Sequence, residues 1–275
     1  SIICGTFSHG QGHATVYSQV LAEKLGVPFD HINLIQGDTD QTPKGSAGTF
    51  GSRSSQMGTV AILRAADILL EKGKKIAGHL LQSDPTDVTF EPGTGEFKAK
   101  VGSVTLAEVA KASYDPDRLP DGVDHGMDES YVYKRNSNDD MNFPNGCHIC
   151  EVEIDPETGV IEIVDYTAVD DCGTVLNPLI VHGQVHGGIA QGIGQAFTEN
   201  LVYDEETGQF LTGTFMDYGM PRAHHFPHMK TGFAPTPSTN NELGVKGAGE
   251  AGCCGAPSAM VLAVLDALKP LGIKH

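Results

Sequence analysis

Gly244-Val-Lys-Gly-Ala-Gly-Glu-Ala-Gly252 sets one carboxylate, Glu250, among Gly247, Gly249 and Gly252 with no bulky neighbour to shield it. An apolar run follows from Pro257 to Leu268, with Val261, Leu262, Leu265 and Leu268 at helical spacing. The pattern predicts a glycine-rich loop that opens into a helix. The same device occurs three more times upstream. Gly10-Gln-Gly-His13 precedes Val16, Val20, Leu21 and Leu25, and Gly26 and Pro28 stop that helix. A loop from Gly45 to Met57 precedes a long helix from about Thr59 to Leu81, whose inward stripe is Ile62, Ala65, Ala66, Leu69 and Leu70. Asn177-Pro178 precedes a helix with glycines at 183, 187, 188, 192 and 194. Each glycine inside a helix costs about 1 kcal/mol against alanine, so that helix is expected to have something against it at backbone distance.

A helix N-terminus carries unpaired N–H groups and partial positive charge, and a glycine lead-in lets an anion approach the backbone closely. Four such loops in one chain point to one large phosphate-bearing ligand held on several sides. The familiar nucleotide signatures do not supply it. Gly10-Gln-Gly12 lacks the third glycine of a dinucleotide fold, and Gly247-Ala-Gly249-Glu-Ala-Gly252 has the spacing with too little chain after it for the rest of the unit. A Gly-Lys-Ser/Thr phosphate loop is not in the sequence. Glu250 reads equally as a general base or as a carboxylate on a helix dipole.

Between these loops the pattern is β-rich. Val88 to Phe90 and Phe97 to Val101 predict a hairpin closed at Gly93-Thr-Gly95, and Leu106 to Ala112 a short helix capped by Thr105. Residues 114–145 read as a long loop. Cys147 to Ile154 and Val160 to Val169 flank Asp155-Pro-Glu-Thr-Gly159 and predict a second hairpin. Asp170 and Asp171, at its end before Gly173, read as turn-forming residues rather than paired catalytic acids. A boundary is expected near 140–146, giving two β-then-helix halves, 1–145 and 146–275.

Composition closes off other classes. The 275 residues include 34 Gly, 18 Lys+Arg and 35 Asp+Glu, for a formal net charge of -17. A polyanion partner needs clustered Lys and Arg, so nucleic acid is not expected. Only 19% of residues are charged, which argues against an acidic disordered chain. No apolar run approaches a membrane span, and no signal peptide is read, so a cytoplasmic setting is expected. The absence of an initiating Met and an opening that reads as a strand already under way predict a piece of something longer. The six Cys are expected to be thiols. Cys147 and Cys150, three apart on a strand, point to opposite faces and make a poor metal pair. His224, His225 and His228 read as surface histidines.

Taken together, Gly10-Gln-Gly-His-Ala-Thr15, Gly48-Thr-Phe-Gly-Ser-Arg-Ser54, Asn177-Pro-Leu-Ile-Val-His-Gly-Gln-Val-His-Gly-Gly188 and Gly244-Val-Lys-Gly-Ala-Gly-Glu-Ala-Gly252 resemble the molybdenum hydroxylases. That family contains xanthine dehydrogenase, aldehyde oxidase and aerobic carbon-monoxide dehydrogenase, and the resemblance is to the C-terminal part of the large, molybdopterin-binding subunit. It implies an α+β module of two similar subdomains, each with a mixed sheet and helices opened by Gly-rich loops, both contributing to the cofactor. The metal would hang from an organic pterin, with no protein side chain as its ligand. Gln11 and Gly12 match a pterin-contacting loop, Phe50 a position beside the molybdenum, and Gly51, Ser52, Arg53 and Ser54 the loop that holds the phosphate and nucleotide end. Gln184 matches a glutamine that reaches the pterin or the metal's oxygen ligand. Glu250 matches the catalytic glutamate, with Gly247 and Gly249 beside it as cofactor-binding positions.

The implied activity is hydroxylation of an aldehyde or N-heterocycle, or oxidation of carbon monoxide, with water as the oxygen source. The Gly-Ser-Arg loop is similar to bacterial members, which implies molybdopterin cytosine dinucleotide. It also implies an iron–sulfur small subunit carrying 2Fe-2S, an FAD-binding medium subunit, and a dimer of such heterotrimers. The alternative is a cofactor-binding or assembly module of the same fold without activity.

Overall fold

The computed structural model describes residues 1–43, 48–134 and 141–275. The chain divides into two compact units, Ser1–Asn138 and Asp139–His275.

In the first unit, β1 (Ile2–Ile3) pairs in parallel with β2 (Leu34–Ile35). Between them runs α1 (His13–Leu25), started by Gly12 and stopped by Gly26, both in the left-handed conformation that glycine adopts without penalty. A Cβ on Gly26 would also lie 2.0 Å from the Pro92 carbonyl, so two reasons exclude any other residue there. The long helix α2 (Ser54–Leu81) follows, five residues longer at its start than its apolar stripe announced. Its stripe is Ile62, Leu63, Ala66 and Leu70, with Ala65 and Leu69 half-buried beside it. Gly58 and Gly73 sit on its inner side because rings occupy the space: a Cβ would meet the Tyr17 hydroxyl at 2.3 Å and the Phe97 ring at 2.4 Å.

A three-stranded antiparallel sheet comes next, β3 (Thr89–Glu91), β4 (Glu96–Ala99) and β5 (Gly102–Thr105). Only the first two strands were legible in the sequence. β5 leads straight into α3 (Leu106–Ala112), where Thr105 and Glu108 form a reciprocal capping box. Leu25, Leu70, Ile76, Phe97 and Val109 meet in the core of this unit. The segment after α3 is irregular apart from a short turn at Pro116–Arg118, and Lys72 of α2 ties it down through Glu129 at 3.0 Å. Within the expected 114–145 loop, residues 135–140 lie outside the described residues, as does Gly45 of the second glycine-rich loop.

The second unit is built on the hairpin β6 (Asn145–Ile154) and β7 (Ile161–Asp171), turned at Asp155 to Gly159 as the sequence predicts. β8 (Lys230–Phe233) adds in parallel to β7, which makes this sheet mixed. A bulge between Glu151 and Val152 shifts the register, so the inward set on β7 changes phase from Ile163 to Tyr166, Ala168 and Asp170. Without it, Asp170 would face outward. Its Oδ1 instead lies 3.4 Å from His148 Nε2, while His148 Nδ1 lies 3.0 Å from the Tyr166 hydroxyl. Cys147 is exposed while Cys150, three residues on, packs its sulfur 3.5 Å from Met260.

The helices α4 (Pro178–Ile193) and α5 (Ala251–Leu268) pack on each other, and α5 also lies against β6. α4 starts at Asn177, whose Oδ1 accepts from the Ile180 N–H at 3.1 Å, with Pro178 in the first turn. The expectation that something lies against its glycines is half met. A Cβ on Gly188 would meet Cys253 N at 2.8 Å, and one on Gly192 would meet Pro257 Cδ at 2.8 Å, but Gly183 and Gly187 face open space within this unit. α5 begins six residues ahead of the apolar run, directly after Glu250, and Pro257 lies inside it. Together with its last turn it spans Ala251–Leu271, long and apolar enough by length and composition to cross a membrane. The sequence reading found no such run, because the Gly, Ala and Cys of the first turns do not announce one.

Candidate functional site

The first glycine loop brings Gln11 and Gly12 to the start of α1. Gly12 takes φ 78° and precedes the first helical residue. Gln11 is folded back on its own loop: its Oε1 accepts from the His9 N–H and lies 3.5 Å from Ser8 Oγ. The second loop lies beside it. Phe7 donates its N–H to Thr49 Oγ1 at 3.1 Å, and its ring occupies the space where Gly48 lacks a Cβ.

A partly buried relay of hydrogen bonds joins the starts of the two helices. Gln36 Nε2 donates to Thr6 Oγ1 at 3.0 Å, Thr6 Oγ1 lies 3.1 Å from the Tyr17 hydroxyl, and that hydroxyl donates to the Ser54 carbonyl at 3.0 Å. Gln36 also lies 3.3 Å from Nδ1 of the buried His13, the first residue of α1. Burial holds His13 below the ordinary imidazole range, against the Gln36 bond, which acts the other way, and His9 lowers it further. Burial likewise pushes the Tyr17 phenol up. The relay fixes the start of α1 against the start of α2. Of these residues the sequence reading places only Ser54 in a site, and only the His13 position adjoining Gly-Gln-Gly hints at the rest.

At the start of α2, Gly51 (φ 59°) and Ser52 (φ 51°) adopt the left-handed conformation in succession. For serine that backbone costs about 1 kcal/mol or more. Phe50 is 60% exposed, and the Arg53 guanidinium lies 3.9 Å over its ring. Arg53 Nη2 donates to the Gly48 carbonyl at 3.0 Å, while its Nε is buried with no partner among the described residues. Ser54 is buried, its hydroxyl bonded to Thr49. The structure therefore gathers Gln11, Gly12, Phe50, Gly51, Ser52, Arg53 and Ser54 in one region of the first unit.

In the second unit, Gln184 is half-buried on α4 and Glu250 stands exposed immediately before α5. The two helices touch at backbone distance beside them: a Cβ on Gly252 would lie 2.3 Å from the Val185 carbonyl. That contact is one residue from Gln184 and two from Glu250. Glu250 gives its main-chain carbonyl to the Cys254 N–H at 3.1 Å, but its carboxylate makes no cap bond to the helix. At the N-cap the carboxylate acts on the α5 dipole without a cap hydrogen bond, and its exposure leaves it reachable from solvent. Gly247 is buried in the loop and Gly249 is exposed next to Glu250.

Loop 244–250 is held by Asp171, whose carboxylate binds Lys246 Nζ at 2.7 Å and also accepts from the Gly173 and Thr236 N–H groups. The bond to Gly173 is the turn expected from sequence. The ion pair is not, because its partner lies 75 residues away.

α1, α2, α4 and α5 share one electrostatic property. None carries an acidic residue in its first turn, although the chain has 35 Asp+Glu, whereas α3, which follows no glycine loop, carries Glu108 there. At α4 Asn177 takes one amide and at α5 Glu250 stands at the N-cap, whereas no side chain caps α1 or α2, whose amides and dipoles are left for an anion from outside. With the buried unpartnered Nε of Arg53, this donor set fits a phosphate-bearing cofactor gripped by backbone. Among the described residues, no three His, Cys, Asp or Glu side chains converge as a metal site. A metal brought in on an organic carrier would not need one.

These features define a molybdopterin-binding protein, and comparison with known proteins agrees. Residues 1–227 match the molybdopterin cofactor-binding domain family, and the chain belongs to it, as part of the large subunit of the molybdenum hydroxylases. It is 37% identical to the carbon monoxide dehydrogenase large chain of Hydrogenophaga pseudoflava, over 98% of this chain and 33% of that one. It is 38% identical to the nicotine 6-hydroxylase large subunit of Paenarthrobacter nicotinovorans, over 99% of this chain and 33% of that one. The solved quinoline 2-oxidoreductase of Pseudomonas putida 86 superposes with a TM-score of 0.84 at 37% identity, covering 97% of this chain and 34% of that one. The chain thus spans about a third of the length of the curated relatives it matches.

Proposed function

We propose that this chain holds the molybdopterin cofactor, and supplies the catalytic base, in the large subunit of a molybdenum-dependent hydroxylase. The substrate would be an aldehyde, an N-heterocycle or carbon monoxide, with water as the oxygen source. Relatives named for carbon monoxide, nicotine and quinoline support that range. The observation that carries the reading is the place of Glu250, an exposed carboxylate at the head of α5, two residues from the backbone contact of Gly252 with α4.

When bound, the cofactor supplies the redox-active molybdenum at which the substrate is oxidised. The chain's own residues bind, orient and move a proton. Arg53 offers its guanidinium to the cofactor's anionic end, with the open amides of α2 beside it, which suits the bidentate geometry of phosphate. Gln11, Gly12 and Gln184 offer backbone and amide hydrogen bonds to the pterin, and Gly247 and Gly249 let the backbone approach it. Phe50 presents an apolar face that keeps water from its side of the site. Glu250 accepts a proton at its carboxylate and releases it to solvent, to which it is exposed.

The cytosine dinucleotide form is proposed from the Gly51–Ser54 turn. The relatives' names, large chain and large subunit, support partner subunits, for which we propose a 2Fe-2S small subunit, an FAD-binding medium subunit and a dimer of heterotrimers, in a cytoplasmic setting. Glu250→Gln in the full complex tests the central role: molybdenum content stays at the wild-type level and turnover falls by about a thousandfold or more. Retained turnover would remove Glu250 from the role of base.

A further inference from the structure

Loop 244–250 contains three glycines in seven residues, and glycine has the most conformational freedom to lose. Left to itself, such a loop would not hold a carboxylate to the tolerance that proton transfer needs. Asp171 sits where it can. It is the last residue of β7, and its side chain and that of Lys246 are only 13% and 12% exposed. Its Oδ1 accepts from Gly173 N at 2.8 Å and Thr236 N at 2.9 Å, and its Oδ2 accepts from Lys246 Nζ at 2.7 Å. One carboxylate thus joins the end of β7, the segment after β8, and the loop four residues ahead of Glu250.

Backbone bonds run the same way. Lys246 N–H donates to Cys172 O, and Thr174 and Ser238 N–H both donate to Gly244 O, each at 2.9 Å. Gly173 faces Val245 across a bridge and is packed so closely that a Cβ would lie 2.3 Å from Gly244 O. The charges match the geometry: burial alone would raise the Asp171 carboxyl, but the Lys246 bond and the two N–H donors outweigh it and hold it well below the usual carboxylate range.

We propose that Asp171 is a positioning residue for Glu250, acting through Lys246 to fix loop 244–250 on the end of β7. The inference rests on the reading of Glu250 as the base. A displacement of about 1 Å at a reacting group can cost about a hundredfold in rate, so the clamp is expected to show in kcat.

The test uses the full native complex with Asp171→Asn, Lys246→Met and the double variant. Asn keeps an acceptor for the two N–H donors and removes the charge that holds Lys246. The double variant removes both charges, so it leaves neither one buried alone. The expected result is a fall in kcat of about ten- to a hundredfold with KM within about twofold and molybdenum content retained. The double variant should be no worse than the worse single one, because the pair acts as a unit. Hydrogen exchange should quicken at residues 244–250 and stay unchanged in β6 and β7. Wild-type kcat in Asp171→Asn overturns the proposal. So does exchange that quickens across the whole second unit, which would make the pair a general support. A wild-type complex without turnover would sink the Glu250 reading instead. The exchange arm then decides the clamp, and unchanged exchange at 244–250 in Asp171→Asn overturns it.

Discussion

Among the described residues Arg53 leaves one buried nitrogen without a partner, while its other contacts, to the Gly48 carbonyl and the Phe50 ring, hold the side chain in place. A buried donor left unsatisfied costs about 1–3 kcal/mol, so its retention makes sense if a ligand oxygen completes it. Arg53→Ala is therefore expected to lower the molybdenum and nucleotide content of the purified complex, and Arg53→Lys to restore it only in part, since lysine lacks the planar fork. Unchanged occupancy in Arg53→Ala would remove it from the cofactor site.

Two histidines set a pH dependence at the same scale. His13 is lowered first by burial, and His186 by burial and then by His182 and His228. A lowered imidazole is neutral in the fold while the unfolded chain still binds the proton near its ordinary value of 6.5. The unfolded state then carries more protons, so stability rises with pH through this window and falls as pH drops below the ordinary value. The thermal midpoint of the complex should decline between about pH 7.5 and about pH 5.5. His13→Gln should flatten part of that slope, and an unaltered slope would count against His13 as a contributor.

The contact between α4 and α5 is set by glycine. Gly188, Gly192 and Gly252 each face the partner helix at a distance no Cβ can share, and Gly192 receives the ring of Pro257, which interrupts the ladder of α5. Gly252→Ala should cost about 1–3 kcal/mol by forcing the helices apart next to Gln184 and Glu250. Gly187→Ala, with open space around it in this unit, should not destabilise the helix and could gain up to about 1 kcal/mol. Urea unfolding of both variants checks this, and equal midpoints would contradict the assigned contact.

Period and glycine placement made most of these elements legible in advance. α1, α3 and the β6–β7 hairpin follow from apolar spacing, from Gly26, and from Thr105 as a cap. The starts of α2 and α5 did not, because each helix opens in small or polar residues that carry no period, and Pro257 read as a beginning although it lies inside α5. Candidate residues that lie within a motif could be named from sequence. Those that act across the fold could not. Tyr17 reaches the Ser54 carbonyl 37 residues away and Asp171 reaches Lys246 75 away, and no local pattern marks either bond.

For the whole molecule, the two units present the same logic with different parts. Acids are kept out of the first turns of the long helices, glycine-rich loops lead into α1, α2 and α5, and one carboxylate, Glu250, is placed at the head of the last. An acidic chain of net charge -17 can accept an anionic cofactor because the field that matters is local: oriented amides and one guanidinium at short range, with distant surface charges screened beyond about 10 Å at ordinary salt.

The measurement that tests this account most directly is metal analysis with nucleotide release on the native complex containing this chain. The account predicts about one molybdenum per chain and cytidine monophosphate freed on acid hydrolysis. A fully assembled complex with no molybdenum and no released nucleotide would contradict it, leaving a fold of this family that serves assembly rather than catalysis.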